Sequence, residues 1–350
     1  MTYPLSAYTR LHQTSGTTGK PMRWLDTEAS WQWWGRCWGT VYRAAGVTEE
    51  DRVYFAFSFG PFIGFWAAWE GARLIGALAI SGGARNSHQR VENLLELEAT
   101  VLCCTPSYAL HLAEVAREMG MADELRRSAV RAIIVAGEPG GSIPATRQRI
   151  ESMWGARVYD HTGATEVGAH GFTCLHQQGV HLNEGEFIVE VLNPTTGEPA
   201  DEGELVITNL GRWGSPIIRY RTGDHVRLNR EPCACGRTFV RMEGGVIGRI
   251  DDMLIVRGVN VFPSAIENIV REFPEVDEFA VEVYRVQEMD ELEVKIEVIK
   301  GEPDHVAARL AERFRQRLAL RTTVTPVAPG TLPRWELKAR RVRDRRKDAK

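Results

Sequence analysis

Residues 14–21 read Thr14-Ser15-Gly16-Thr17-Thr18-Gly19-Lys20-Pro21, a run that packs hydroxyls, two glycines and a lysine into one short loop. Chemistry of that kind holds phosphate. Glycine lets the backbone turn tightly and aim its N–H groups at an anion, the hydroxyls add donors, and lysine adds a mobile positive charge. The nucleotide-kinase loop is excluded. It needs four residues between its glycines and Ser or Thr after the lysine, whereas two residues separate Gly16 from Gly19 and Pro21 follows Lys20. Further along, Tyr159-Asp160-His161-Thr162-Gly163-Ala164-Thr165-Glu166 ends by setting a hydroxyl beside a carboxylate, a pair suited to one phosphate oxygen and one hard Mg2+ ion. In Arg219-Tyr220-Arg221-Thr222-Gly223-Asp224 a carboxylate follows a glycine turn and is able to accept hydrogen bonds from both hydroxyls of a ribose. An isolated Thr-Gly-Asp is more often an exposed turn.

A second chemistry is carried by cysteine. Pro232-Cys233-Ala234-Cys235-Gly236-Arg237 is a Cys-x-Cys on a glycine turn, and Cys174, His176 and His181 lie just after the hydroxyl–carboxylate string. Structural zinc takes four Cys or His ligands in a tetrahedron, so two short segments on adjacent β elements can supply them. Cys174, His181, Cys233 and Cys235 are the expected set, against the alternative of four ordinary positions. Two cysteines on a polar turn have no packing reason to be there. Cys103 and Cys104, inside an apolar run, are expected in the core.

The positioning elements follow an α/β pattern. Apolar runs at 53–57, 78–80, 100–104 and 132–136, each closed by Gly, Pro or Ser, predict buried parallel strands, with helices over 107–119 and 144–153 between or after them. From residue 184 on, short alternating runs at 187–191, 203–208 and 217–220 with intervening turn signals predict an antiparallel β subdomain. A final βαββα order predicts a small α+β domain: strands at 254–256, 279–283 and 292–299, helices at 264–272 and 304–318. The expected organisation is a large domain over 1–248, containing parallel sheet layers and a β subdomain at about 184–248, and a small mobile domain over 249–350.

Composition narrows the partners. The chain has 350 residues, 43% hydrophobic and 25% charged, long enough for roughly two domains and a proper core. A formal net charge of −3, from 43 Lys+Arg against 46 Asp+Glu, gives no global reason to bind nucleic acid or anionic membrane. Small molecules are the expected partners, and a homodimer stays open. The richest apolar stretch, 53–80, is broken by glycine, proline and charge, so no membrane span is expected. Without a signal peptide pattern, the expected location is cytoplasmic. Six cysteines in a chain of this size do not read as a disulfide scaffold.

Taken in order, these strings resemble the signature motifs of adenylate-forming enzymes, and most closely those of the phenylacetate-CoA ligases and related aryl-CoA ligases; the resemblance covers nearly the whole chain. It implies that Thr14, Ser15, Gly16, Thr17, Thr18, Gly19 and Lys20 grip the pyrophosphate of ATP, and that Gly137, Glu138 and Pro139 border adenine together with Asp160, His161 and Thr162. Thr165 would touch the α-phosphate, Glu166 would hold Mg2+, and Asp224 would clamp the ribose. Gly248-Arg249-Ile250-Asp251-Asp252-Met253-Leu254-Ile255-Val256-Arg257-Gly258 resembles the family's interdomain hinge. By that likeness Arg249 lies near the nucleotide, Asp251 is the pivot, and Gly258 lines the pantetheine tunnel. In Leu332-Pro333-Arg334-Trp335-Glu336-Leu337-Lys338, the lysine stands where the family has its adenylation lysine. Three departures stand out. Thr162 replaces the usual aromatic residue that stacks on adenine, Leu337 replaces the usual glycine, and only thirteen residues precede the phosphate loop where relatives carry several dozen.

The implied reaction follows from charge. A carboxylate attacking a phosphate is anion on anion, so Mg2+ on Glu166, the loop donors and Lys338 must neutralise charge while holding the groups in line. Acyl-AMP and pyrophosphate result, and the thiol of coenzyme A then takes the acyl group. No nucleophilic side chain is needed. For the acyl pocket, the run Phe55-Ala56-Phe57-Ser58-Phe59-Gly60-Pro61-Phe62 is more often core than pocket. The family position still makes Phe59 and Phe62 candidates for packing a flat apolar acid such as phenylacetate. The alternatives are loading of a carrier-protein thiol, or a non-catalytic acyl-nucleotide binder if the short N-terminus removes activity.

Overall fold

Local chemistry sets the element ends. Thr27, Asn86, Thr105 and Glu302 each accept the backbone N–H three residues on, capping four helices, and proline opens another two of the remaining four. The computed structural model describes residues 1–14, 21–60, 62–257, 259–286, 289–335 and 339–347. In chain order the elements are β1 (Tyr8–Gln13), β2 (Arg23–Thr27), α1 (Glu28–Ala44), β3 (Arg52–Phe55), α2 (Ile63–Leu74), β4 (Leu78–Ser81), α3 (Ser87–Glu96), β5 (Val101–Cys104), α4 (Pro106–Glu118), α5 (Ala122–Arg126), β6 (Ala132–Ala136) and α6 (Pro144–Trp154). Then come β7 (Arg157–Ala164), β8 (Gly168–Phe172), β9 (Val180–Leu182), β10 (Phe187–Leu192), β11 (Glu202–Asn209), β12 (Tyr220–Asn229) and β13 (Arg241–Arg249). After a 3-10 turn at Ile250–Asp252 follow β14 (Leu254–Val256), β15 (Val259–Val261), α7 (Pro263–Arg271), β16 (Val276–Val286), β17 (Met289–Val298), α8 (Pro303–Leu318), β18 (Thr323–Val327) and β19 (Val342–Asp344).

Eleven strands form one sheet in the order β10-β11-β12-β13-β9-β8-β7-β6-β5-β3-β4. β3 to β7 pair in parallel and β8 to β13 antiparallel, the change falling where β7 meets β8. The antiparallel strands therefore continue the parallel ones edge to edge, in the region where the sequence predicts an antiparallel β subdomain. Successive residues of the central parallel strands are buried on opposite faces of the sheet. Cys103 packs with α1 and α2 on one face, and Cys104 packs with α3, α4 and α6 on the other. Both cysteines are core, as expected. The sequence reading did not anticipate α1, whose Trp31, Trp33, Trp34 and Trp38 are all buried. Trp33 donates its indole N–H to Glu186 at 2.6 Å, which ties the helix to the start of β10.

Four of the remaining strands make a smaller sheet, β18-β17-β16-β19, covered by α7 and α8 around its own apolar cluster, while β1-β2 and β14-β15 pair as two-stranded sheets. That extends the predicted βαββα order by three short strands. Among the described residues, no helix is long and apolar enough to cross a membrane.

Candidate active site

Three strand ends of the large sheet converge. Glu166 sits in the turn between β7 and β8, while Tyr220 and Asp224 lie on β12 and Arg249 ends β13. The Tyr220 phenol is raised above its ordinary range by burial first, then by the Glu166 carboxylate, with Arg249 and Asp224 also acting on it. Arg249 comes within 3.7 Å of Asp224 and donates to Asp251 at 2.8 and 2.9 Å. Asp224 is not in a turn, as its sequence implies, but inside β12 at a bulge. Glu204 pairs with His225 and Val206 with Arg221, so three residues of β12 face one of β11. Gly223 takes φ +75 there, and a Cβ on it would lie 2.9 Å from the Arg249 guanidinium. Bulges of this kind re-aim a side chain next to a site.

Beneath the site lies a residue that the motif reading missed. Arg212 donates to both oxygens of Asp26 at 2.7 and 2.8 Å, and both side chains are 0% exposed. Its Nη1 donates to the carbonyls of Thr165 and Glu166 at 2.7 and 3.0 Å, so this buried pair props up the backbone of the hydroxyl–carboxylate motif. Trp24 and Trp34 flank the guanidinium at 5.1 and 5.4 Å. Asp26 and Arg212 are 186 positions apart, which is why no local pattern signals them. Arg212→Met leaves the Asp26 carboxylate buried and unpaired, with an expected loss of about 3–5 kcal/mol of stability in denaturant unfolding. A loss below about 1 kcal/mol would show that the pair carries little.

Several expected contacts are redirected. Asp160 and His161 are buried in β7. Burial pushes Asp160 up to about 6 while Ser142 donates to its carboxylate, and burial pushes His161 down to about 4 while Nδ1–H donates to the Gly171 carbonyl at 2.7 Å. Thr162 turns its hydroxyl towards Gly171, where a Cβ would lie 1.9 Å from it. Asp160 and His161 are thus buried and hydrogen-bonded within the sheet, and Thr162 is partly buried beside them. The Glu138 carboxylate is also committed: it accepts from the Ser107 N–H and hydroxyl and, at 2.6 Å, from the Ala339 N–H. Gly137 and Pro139 flank it in the turn after β6, with Gly137 at φ +95.

Of the phosphate loop, Thr14 closes the β1–β2 hairpin through two 3.0 Å hydrogen bonds with Met22, and residues 15–20 lie outside the described residues. Gly258 and Lys338 lie outside them as well. Phe59 is half-buried in an aromatic stack, 4.7 Å from Trp66, 5.3 Å from Phe57 and 5.6 Å from Trp69. Phe62 is exposed at the N-cap of α2 and makes no ring contact with Phe59 among the described residues. Phe55 and Phe57 are core.

The four metal-ligand candidates meet. The ligand atoms of Cys174, His181, Cys233 and Cys235 lie within 4.8 Å of one another. The Cys174 and Cys233 sulfurs are 3.8 Å apart, and the Cys235 sulfur is 3.6 Å from His181 Nε2. Zinc bonds of about 2.3 Å to sulfur and about 2.0–2.1 Å to nitrogen give tetrahedral edges of about 3.8 Å (S–S) and about 3.5 Å (S–N), so the residues fit that ion.

The two sheets meet through ions. Arg149 of α6 donates to the Val276 carbonyl at 2.5 Å and to Asp277 at 3.1 Å, and Arg334 bridges Asp277 and Glu297 at 2.8 Å each with Glu114 of α4 at 3.9 Å. Burial, reinforced by the Asp277 carboxylate, pushes Glu114 from its ordinary 4.5 up to about 7. The docked form thus holds a proton that a solvent-exposed Glu114 releases, so docking weakens as pH rises from 4.5 to about 7 and levels off above. Glu114→Gln keeps the neutral form throughout. Any activity that needs this docked arrangement is expected to lose, in the variant, the part of its pH profile between 5.5 and 7.5 that comes from Glu114; superimposable profiles would contradict this.

The AMP-binding enzyme family matches residues 11–211, and the AMP-binding enzyme C-terminal domain matches 258–346. A phenylacetate-coenzyme A ligase of Thermus thermophilus is 33% identical over 98% of this chain and 82% of its own length; one of Escherichia coli is 33% identical over 98% and 80%. Among solved structures, 2-hydroxyisobutyryl-CoA ligase in its postadenylation state superimposes with a TM-score of 0.93 at 30% identity, over 99% of this chain and 75% of that one. In its thioesterification state the same ligase gives 0.69 at 31% identity, over 98% and 75%. The chain belongs to the AMP-binding, adenylate-forming enzyme family, among the phenylacetate-coenzyme A ligase-like members that join an acid to coenzyme A through an acyl-adenylate.

Proposed function

We infer that the acid this chain activates is aromatic, of the phenylacetate kind. The observation that carries the reading is the convergence of Glu166, Asp224 and Arg249 around Tyr220, in a chain one-third identical over nearly its whole length to phenylacetate-coenzyme A ligases. ATP lies across these strand ends, with Asp224 on the ribose and Arg249 and Thr165 on the phosphates, and residues 14–20 on the pyrophosphate. Hard oxygen donors suit magnesium, so the Glu166 carboxylate is the group to hold Mg2+. When bound, the ion neutralises phosphate charge. Lys338 bridges the attacking carboxylate and the α-phosphate. The four-ligand cluster holds a structural zinc, separate from the magnesium.

Two half-reactions need two arrangements of one small domain. The large domain spans 1–248 and the small one 249–350, with Asp251 as pivot and Gly258 beside the pantetheine path. The contrast between the two states of one relative, a TM-score of 0.93 in its postadenylation state against 0.69 in its thioesterification state, supports an adenylation-type arrangement here. A second reading, a small branched hydroxy acid, is favoured by the likeness to 2-hydroxyisobutyryl-CoA ligase and by the closed packing of Phe55, Phe57 and Phe59. ATP–pyrophosphate exchange over a panel of acids, followed by chromatography of the coenzyme A thioester, separates them. Phenylacetate is expected to stimulate exchange best. Strongest stimulation by 2-hydroxyisobutyrate would transfer the reading to the second class, and no exchange with any acid would overturn both.

A further inference from the structure

Glu138 belongs to the large sheet's connection after β6, yet it takes a hydrogen bond from the small domain. Its carboxylate sits at the N-terminus of α4, where the Ser107 N–H donates at 2.8 Å and the Ser107 hydroxyl donates to the same oxygen. A helix N-terminus favours a negative group and fixes its direction. The other oxygen accepts the Ala339 N–H at 2.6 Å. On the far side, Arg341 pins the segment that carries Ala339 to the small domain. Its guanidinium holds Glu278 at 2.7 and 3.0 Å, and its carbonyl accepts from the Val281 N–H at 2.7 Å. A single carboxylate thus joins a rigid point of one domain to a rigid strand of the other, one residue from Lys338 in the sequence. The bond exists only while the domains are docked in this arrangement.

We propose that Glu138 is a positioning residue for adenylation: by capturing the Ala339 N–H it sets the backbone beside Lys338 in register with the acyl-phosphate site, and it lets go when the small domain turns for thioester formation. The proposal rests on the reading of Lys338 as the adenylation lysine. It gives the Glu138 carboxylate a role distinct from contact with adenine.

The test measures the half-reactions separately on the intact protein: ATP–pyrophosphate exchange for the first, and coenzyme A thioester formation from supplied acyl-AMP for the second. Glu138→Gln keeps size but turns one acceptor into a donor facing a donor. Exchange is expected to fall about tenfold to hundredfold, the usual worth of a hydrogen bond to a charged group, with the loss in kcat and thioester formation largely retained. Glu138→Asp, which keeps the charge on a shorter stem, is expected to recover part of the exchange rate. Ser107→Ala removes the hydroxyl that orients the carboxylate and should give a smaller loss of the same kind, which serves if the Glu138 variants fold poorly. Equal losses in both half-reactions would overturn the proposal. So would unchanged exchange, or a loss expressed only as a higher KM for ATP. The wild type decides the ligase reading independently: if it performs both half-reactions, a uniform defect in Glu138→Gln sinks this inference alone.

Discussion

Lys338→Ala is expected to reduce acyl-adenylate formation by about a hundredfold to a thousandfold, the usual consequence of removing one charge-stabilising group from a transition state. Thioester formation from preformed acyl-AMP should stay largely intact. Two anions must approach for the carboxylate to attack the α-phosphate, and in the proposed role Lys338 would supply a compact charge on a long stem at that point. The second half-reaction starts from a neutral mixed anhydride and takes place after the small domain has turned, so the same lysine has no charge to offset there. Equal loss in both half-reactions would remove Lys338 from its assigned role. Together with Glu138→Gln, the measurement separates the cation from the post proposed to aim it, because the cation's loss is expected to be the deeper and Glu138→Asp is expected to recover part of the activity.

Loss of metal should be the second large effect. Purified protein is expected to contain about one zinc per chain, and the double variant Cys233→Ser, Cys235→Ser to contain none. Its location predicts more than a lower melting temperature. Strand β9 pairs with β13 only at Arg241↔His181 and Met242↔Val180, and with β8 only at Gly171↔Leu182 and Phe172↔His181. This is the narrow seam through which the half of the sheet bearing Asp224 and Arg249 joins the half bearing Glu166. His181 lies in that seam, Cys174 follows β8, and Cys233 and Cys235 sit in the β12–β13 connection. A zinc bound there would staple the seam. Since metal binding energy becomes folding energy, losing several kcal/mol should lower Tm by about 10 °C, and loosening the seam should raise KM for ATP. A chelator-free preparation without zinc would end the idea, as would a Cys174–Cys233 disulfide found by mass spectrometry.

Much of this was legible in contiguous strings. The order of the motifs from Thr14 to Lys338 identified the family and its reaction, because phosphate, ribose and metal binding each require a few residue types at short spacing. The cysteine set was legible for the same reason, since a Cys-x-Cys on a polar turn lacks a packing explanation. Apolar runs with clear stops predicted the parallel strands, and Cys103 and Cys104 were correctly placed in the core.

What only the tertiary structure decided is direction. A strand points successive side chains to opposite faces, and which face is covered depends on helices elsewhere, so Asp160 and His161 turn into the core although they stand within a nucleotide motif. Asp224 reaches its position through a bulge that requires Gly223 and the partner strand together. The Asp26–Arg212 pair under Thr165 and Glu166, and the carboxylate of Glu138 reaching Ala339, join residues 186 and 201 positions apart. Buried charge pairing of this kind is selected by desolvation: a charge removed from water must find a partner, and the fold, not the local pattern, determines which partner is within reach.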